Sequence, residues 1–197
     1  LARFQRDAGQ PGGGGIALGF HADHGHVGLG VLVGLQRLDQ HATLFSWRAA
    51  QRFALHLAPR VESVEAVDSS AASLEIARGN AAANGIANVE WKEADVFDLL
   101  AGYAGARRKF SLIVLDPPAF AKSRKSIDGA LRGYKEINLR ALQLLEPGGV
   151  LVTCSCSHHI SEADLIETVA AASLDVDRKL RVLERRTQSA DHPVLIT

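Results

Sequence analysis

The run Phe110-Ser-Leu-Ile-Val-Leu115 constrains this chain more than any other stretch. It is apolar at both alternating sets of positions, and a strand buried on both faces belongs inside a parallel sheet covered by helices. It delivers Asp116-Pro117-Pro118-Ala119-Phe120 at its carboxyl end, where open α/β sheets bind ligands. Successive prolines fix the backbone and remove two donors, so the chain must leave the sheet in an extended turn over that crevice. A second run, Pro147-Gly148-Gly149-Val150-Leu-Val-Thr153-Cys154-Ser155-Cys156, carries two thiols toward the same end.

Around these runs, residues 61 to 185 repeat one pattern: an apolar run, a polar turn, then a helical period. That alternation predicts an open, mostly parallel sheet with helices on both faces. Val61 to Val67 reads as the first clear strand, followed by a helix with Leu74, Ala77 and Ala81 at helical spacing, capped by Ser69 or Ser70 and stopped by Asn84-Gly85. Asn88 to Lys92 reads as a strand, Val96 to Tyr103 as a short helix, and about Leu131 to Leu145 as an amphipathic helix ended by Pro147-Gly148-Gly149. Val150 to Cys154, Ser161 to Ser173 and Leu180 to Glu184 complete the series as strand, helix and strand. The first 52 residues differ: a glycine run at Gly12 to Gly15 and a Gly/Val/Leu-rich stretch from Gly25 to Leu38 show no settled period. The expected organisation is an atypical segment, 1–52, followed by one catalytic-type domain, 53–197.

Composition excludes several classes. Lysine plus arginine and aspartate plus glutamate are 22 each among 197 residues, so bulk charge gives no argument for nucleic acid or membrane. Two cysteines two positions apart on one strand exclude a disulfide framework. No apolar run approaches the roughly 20 residues that cross a bilayer, and no signal pattern opens the chain, so a cytoplasmic protein without a membrane partner is expected. His21, Asp23, His24 and His26 have metal-ligand residue types but fit no common zinc spacing, so no metal is expected. Gly28, Gly30 and Gly34 only weakly resemble a nucleotide loop. The chain starts at Leu1 and has no methionine, which suggests a fragment or a start site placed in the wrong position.

Several polar residues fall at strand ends. Asp68 sits where nucleoside-binding folds place an acid on ribose hydroxyls, though a helix-capping aspartate occupies the same place. Asp95, followed by Val96-Phe97, could accept an adenine amino hydrogen or cap the next helix. Cysteine suits strand interiors, yet Cys156 lies past the strand end and is the thiol that can leave the core, with Cys154 behind it. Lys122, Arg124 and Lys125 follow the Asp-Pro-Pro turn and read either as a solvated loop or as phosphate contacts. Phe120 and Tyr134 read either as core or as platforms for a flipped base.

Taken together, Asp68, Asp95, Asp116-Pro117-Pro118 and the cysteine strand resemble a Rossmann-like class I S-adenosylmethionine-dependent methyltransferase. More narrowly, Asp116-Pro117-Pro118-Ala119-Phe120, Gly133-Tyr134-Lys135-Glu136-Ile137-Asn138, Cys154-Ser155-Cys156-Ser157 and Ala190-Asp191-His192-Pro193 resemble the RlmI-type large-subunit ribosomal RNA cytosine-5 methyltransferases over roughly residues 53 to 197. The resemblance implies S-adenosyl-L-methionine as cofactor and ribosomal RNA as partner. It implies cofactor contacts at Asp68, Ser69, Asp95, Val96, Asp116 and Pro117, and substrate contacts at Pro118, Phe120, Lys122 and Tyr134. It makes Cys156 the nucleophile, with Asp116 where cofactor and base meet. Asp191-His192-Pro193 reads as a family turn near the cofactor rather than a catalytic pair.

The sequence departs from that pattern in three places. The glycine-rich turn expected before Asp68 is replaced by Phe45-Ser46-Trp47-Arg48-Ala49-Ala50-Gln51-Arg52-Phe53, which has no glycine. Gly19-Phe20-His21-Ala22-Asp23 before it and Phe53-Ala54-Leu55-His56-Leu57-Ala58 after it fit the family again, so residues 24 to 52 are expected to be translated out of frame. Nothing resembles the family's amino-terminal PUA-type module, and the last sheet strand is expected to be missing after Thr197. Competing expectations are methylation of another base atom or substrate, and a non-catalytic remnant.

Overall fold

A computed structural model describes residues 16–22, 41–46, 50–121, 123–157 and 159–186, with side-chain surroundings from Ala54 onward. The run singled out first forms β5, Phe110–Asp116, and every residue from Phe110 to Leu115 is buried. Ile113 and Leu115 face one apolar cluster while Leu112 and Val114 face another, which is why both alternating sets had to be apolar. Burial of each such side chain contributes about 1.5–3 kcal/mol.

Seven strands form one sheet in the order β4-β3-β2-β5-β6-β1-β7. In chain order they are β1 Ile16–Ala22, β2 His41–Ser46, β3 Ser63–Asp68, β4 Val89–Glu93, β5, β6 Leu145–Ser155 and β7 Leu180–Arg186. The pairs β2/β3, β3/β4, β2/β5 and β5/β6 are parallel, and β1 runs antiparallel to both β6 and β7. The helices are α1 Ala50–Leu57, α2 Ala71–Ala83, α3 Val96–Gly105, α4 Ile127–Leu144 and α5 Glu162–Asp175. The larger core lies beneath α3, α4 and α5 and includes Leu100, Tyr103, Tyr134, Ile137, Leu142 and Leu165. The smaller core is built on Ala54, Leu57, Val64 and Ala66 around α1, with α2 alongside.

The α/β architecture with a mostly parallel sheet is the one expected, but its amino-terminal half differs from the sequence reading. Val61 to Val67 is not the first strand: β1 and β2 precede it, and β2 lies between β3 and β5. His41-Ala-Thr-Leu-Phe-Ser46 carries little strand signal by itself, because strand formation depends on the ladder a segment finds on either side. β1 separates β6 from β7, so the sheet is continuous there although no strand follows β7 among the described residues. The glycine run at 12–15, the stretch at 25–38 and Ala190-Asp191-His192-Pro193 lie outside the described residues, as do Lys122, Asp23, His24 and His26.

Boundaries moved where prolines and caps act. Helix α4 starts at Ile127, four residues before the expected start, because Arg124–Ser126 form a 3-10 turn that feeds it. It ends at Leu144, since Glu146 precedes Pro147 and is biased to extended backbone. The strand then begins at Leu145, with a register shift opposite Phe110/Leu112. Gly148 has φ +79° at that irregularity, a conformation that favours glycine.

One charged cluster is buried in the sheet. Glu65 on β3 is 4% exposed and accepts hydrogen bonds from Lys92 at 2.7 Å, from Arg108 at 2.9 Å and from the Tyr103 hydroxyl. Burial pushes the Glu65 carboxyl up, but the bonds from Lys92, Tyr103 and Arg108 outweigh it and hold the group below the usual carboxylate range. This cluster joins β3 to β4 and to the end of α3.

Candidate active site

The crevice at the carboxyl ends of β3, β4 and β5 contains a cavity of about 210 Å³. Asp68 and Ser69 form one wall with Val67, Asp95, Val96 and Phe97 form the next, and Pro117, Pro118 and Phe120 close the other side. Ile137 of α4 and Ala94 complete the lining. The surface is mainly apolar with two carboxylates at one end, a donor-poor arrangement suited to a flat heterocycle and hydroxyls.

Both carboxylates are oriented by local backbone. Asp68 is 3% exposed, and its Oδ1 accepts the Ser70 N–H at 2.8 Å. Its carbonyl accepts the Ala94 N–H at 3.2 Å, which ties the end of β3 to the loop after β4. The Ser70 hydroxyl caps α2 by accepting the Ser73 N–H at 3.2 Å; Ser69, the other expected cap, is exposed and lines the cavity. Asp95 is the N-cap of α3: its Oδ1 accepts the Phe97 N–H at 2.8 Å and the Asp98 N–H at 3.3 Å. The capping role weighed for Asp95 is therefore realised, and the same residue lines the cavity. Phe97 and Phe120 both line it and pack against each other, with ring centroids 6.3 Å apart.

On the other side of Pro117 lies the thiol. The half-buried Cys156 Sγ–H donates to the Pro117 carbonyl at 3.6 Å, so one proline both lines the cavity and holds the sulfur. Burial pushes the Cys156 thiol up, the Asp116 carboxylate adds to that, and a hydrogen bond with its own backbone opposes both. Cys154 is desolvated much more strongly and is pushed far up by burial first, then by Asp116 and Cys156. Burial therefore weighs more heavily against the thiolate of Cys154 than against that of Cys156. Asp116 ends β5 beside Ser46 of β2 in the sheet register. Asp116 does not line the 210 Å³ cavity, and its charge bears on the two thiols.

Tyr134 is placed differently from a base-stacking platform. It is 0% exposed inside α4, with its ring 4.7 Å from that of Phe120 and its hydroxyl 3.0 Å from both Ser155 Oγ and Ser157 Oγ. The helix comes close to Phe120 because residue 133 is glycine; a Cβ there would meet Phe120 Cδ2 at 3.3 Å. Phe120 itself is partly exposed and faces the cavity. Arg124 and Lys125 are exposed on the turn before α4. Sequence reasoning missed Ile137 and Ala94 as lining residues and Ser155 and Ser157 as partners of Tyr134. The serines flank Cys156 in the chain, which was the available signal. Among the described residues no His, Cys, Asp and Glu group could hold a metal ion, and no helix is long and apolar enough to cross a membrane.

A Rossmann-like sheet of this order, with acids at the ends of β3 and β4 and an Asp-Pro-Pro turn after β5, defines a methyltransferase domain. The chain belongs to the Methyltransferase domain family, which matches residues 46–192. It is similar to "Ribosomal RNA large subunit methyltransferase I" of Shewanella denitrificans, with 49% identity over 135 residues, 67% of this chain and 34% of that one. The protein of the same name from Aeromonas salmonicida is 48% identical over 130 residues, covering 65% of this chain and 33% of that one. The chain thus spans about a third of the length of the curated relatives it matches. Among solved structures, a SAM-dependent methyltransferase from Agrobacterium tumefaciens shares the fold with TM-score 0.58 at 18% identity, over 68% of this chain and 44% of that one. NSun6 from Pyrococcus horikoshii, solved with SFG, shares it with TM-score 0.54 at 20% identity, over 68% of this chain and 37% of that one.

Proposed function

We propose that this domain is the catalytic part of an S-adenosylmethionine-dependent ribosomal RNA methyltransferase that forms 5-methylcytosine, working in the cytoplasm. The observation that carries the reading is the shared use of Pro117: it walls the cavity on one side and accepts the Cys156 thiol hydrogen on the other. A methyl donor in that cavity and a base against Cys156 would meet across the Asp116-Pro117-Pro118 turn. The similarity to proteins named for ribosomal RNA methylation supports the same substrate class.

The chain's residues divide the work. Asp68 and Ser69 would take the ribose hydroxyls, Asp95 and Val96 the adenine edge, and Phe97 a flat face. When bound, S-adenosyl-L-methionine supplies an electrophilic methyl group. Cytosine carbon 5 is too weak a nucleophile to take it unaided, so Cys156 adds to carbon 6 and makes carbon 5 enamine-like. Once the methyl group is on carbon 5, the carbon 5 proton passes to water, its bonding pair restores the carbon 5–carbon 6 double bond, and the carbon–sulfur pair returns to Cys156 as the thiolate. Pro118 and Phe120 border the base side, with Lys122, Arg124 and Lys125 on phosphates, where they fix register without reading sequence.

A second reading is favoured by the glycine-free stretch after Ser46. Residues 24 to 52 translated out of frame would leave no glycine where the family brings backbone up to the cofactor. The chain would then be a remnant that keeps the thiol half of the site. Titration calorimetry with S-adenosylmethionine separates the readings: a dissociation constant from about 1 μM to 1 mM supports the enzyme, and no heat in that range supports the remnant. Within the enzyme reading, retention of turnover by Cys156→Ala would move the chemistry to another atom or substrate. The nucleotide sequence tests the frame directly, and an uninterrupted frame with no compensating insertion and deletion removes that explanation.

A further inference from the structure

Cys156 sits between two buried serines that have no part in the chemistry above. Ser155 and Ser157 are each 2% exposed, and both hydroxyls lie 3.0 Å from the Tyr134 hydroxyl. The Ser155 hydroxyl donates to the Tyr134 oxygen, which leaves the Tyr134 hydrogen for Ser157 Oγ. The Ser157 N–H donates back to Ser155 Oγ at 3.3 Å, closing a ring of hydrogen bonds around the one residue between them. Ser157 Oγ also accepts the Ala121 N–H at 3.2 Å, so the ring reaches the far end of the Asp116-Pro117-Pro118 turn. The near end of that turn is held by Cys156 itself, through Pro117.

We infer that the Tyr134 hydroxyl, with Ser155 and Ser157, is a positioning clamp that fixes Cys156 against the Asp116-Pro117-Pro118 turn. The inference rests on the reading of Cys156 as the reactive thiol. Three hydroxyls beneath α4 add nothing to a hydrophobic core; a buried polar ring is tolerated because each member is satisfied, and what it confers is one defined geometry. The clamp joins two loops that are neighbours only in space: residues 155–157 past β6 and residues 117–121 past β5. Its aromatic ring has a separate duty against Phe120, so removing the hydroxyl alone leaves the cavity wall in place.

Tyr134→Phe isolates the clamp, and thiol alkylation reads it without passing through methyl transfer. In a Cys154→Ala background of this chain, the iodoacetamide rate of Cys156 is followed against pH. Released from the turn, the sulfur gains solvent, so Tyr134→Phe and Ser157→Ala each raise the rate about five-fold, the factor one net hydrogen bond represents, and shift the pH profile down. Thr168→Ala removes a comparable hydrogen bond, to the Asp164 carbonyl within α5, and leaves alkylation unchanged. Rates within about two-fold of the parent in both clamp variants, or an equal rise in Thr168→Ala, overturn the inference. If Tyr134→Phe does not fold, Ser157→Ala decides. Failure of the cytosine reading shows instead as retained turnover in Cys156→Ala, which leaves the alkylation result unaffected.

Discussion

The two wings of the crevice are built by different means. Over β3 and β4, each carboxylate is held by residues two or three positions away: Asp68 by the Ser70 N–H, and Asp95 by the N–H groups of Phe97 and Asp98. Over β5 and β6, Cys156 is held by groups 21 to 39 positions away from it or its flanking serines, namely Tyr134, Ala121 and Pro117. The first wing assembles as soon as its strand and helix ends form. The second exists only after α4 has docked on β6, and so depends on the packing of the larger core. A local cap survives small shifts of the sheet, whereas a long-range clamp transmits them to the thiol.

The largest expected effect separates the wings outright. Cys156→Ala should lower cytosine methylation by at least about a thousand-fold while leaving the S-adenosylmethionine affinity unchanged, measured by radiolabel transfer and calorimetry. An equal loss of affinity would mean that the wings are not independent. Asp68→Asn should act in the opposite sense, weakening S-adenosylmethionine binding about ten-fold with no change in Cys156 alkylation, because it alters hydrogen bonds to hydroxyls at the far wall. A change in alkylation would show that the carboxylate reaches across Pro117.

The pH dependence comes next. Burial and Asp116 raise the Cys156 pKa, so at neutral pH the thiolate is a small fraction and the methylation rate should climb about ten-fold per pH unit between pH 6 and 8. Stability runs the other way with pH. The folded state holds these thiol protons more tightly than the unfolded chain, so their contribution is complete below the unfolded cysteine pKa and is lost as pH rises through the folded values. A rate that is flat over that interval would place activation of Cys156 in the bound substrate. The smallest effect is that of Asp95→Ala, which removes the α3 cap and should cost about 1 kcal/mol in urea unfolding. A Ser70→Ala change tests the α2 cap in the same way, and neither should alter thiol reactivity.

The legible parts of the molecule were those whose physical cause lies within a few residues. Phe110 to Leu115 announced a strand covered on both faces, and the structure puts it between β2 and β6. Ser70 and Asp95 cap helices as their residue types allow, and Asn84-Gly85 ends α2 with Gly85 at φ +66°. Tyr134 was less legible. As one turn of an amphipathic helix, its sequence position is compatible with either a core ring or a ring facing a ligand, and only the docking of α4 selects the core.

The sequence by itself determined the alternation of strands and helices, the acids at strand ends and the thiol past β6, because periodicity, capping and proline geometry act over a few bonds. Tertiary structure decided where β1 and β2 join the sheet, which hydroxyls surround Cys156, and that Pro117 is shared by cavity and thiol. Those outcomes depend on the pairing of distant segments, whose loop-closure cost is offset only by contacts that a one-dimensional reading does not contain.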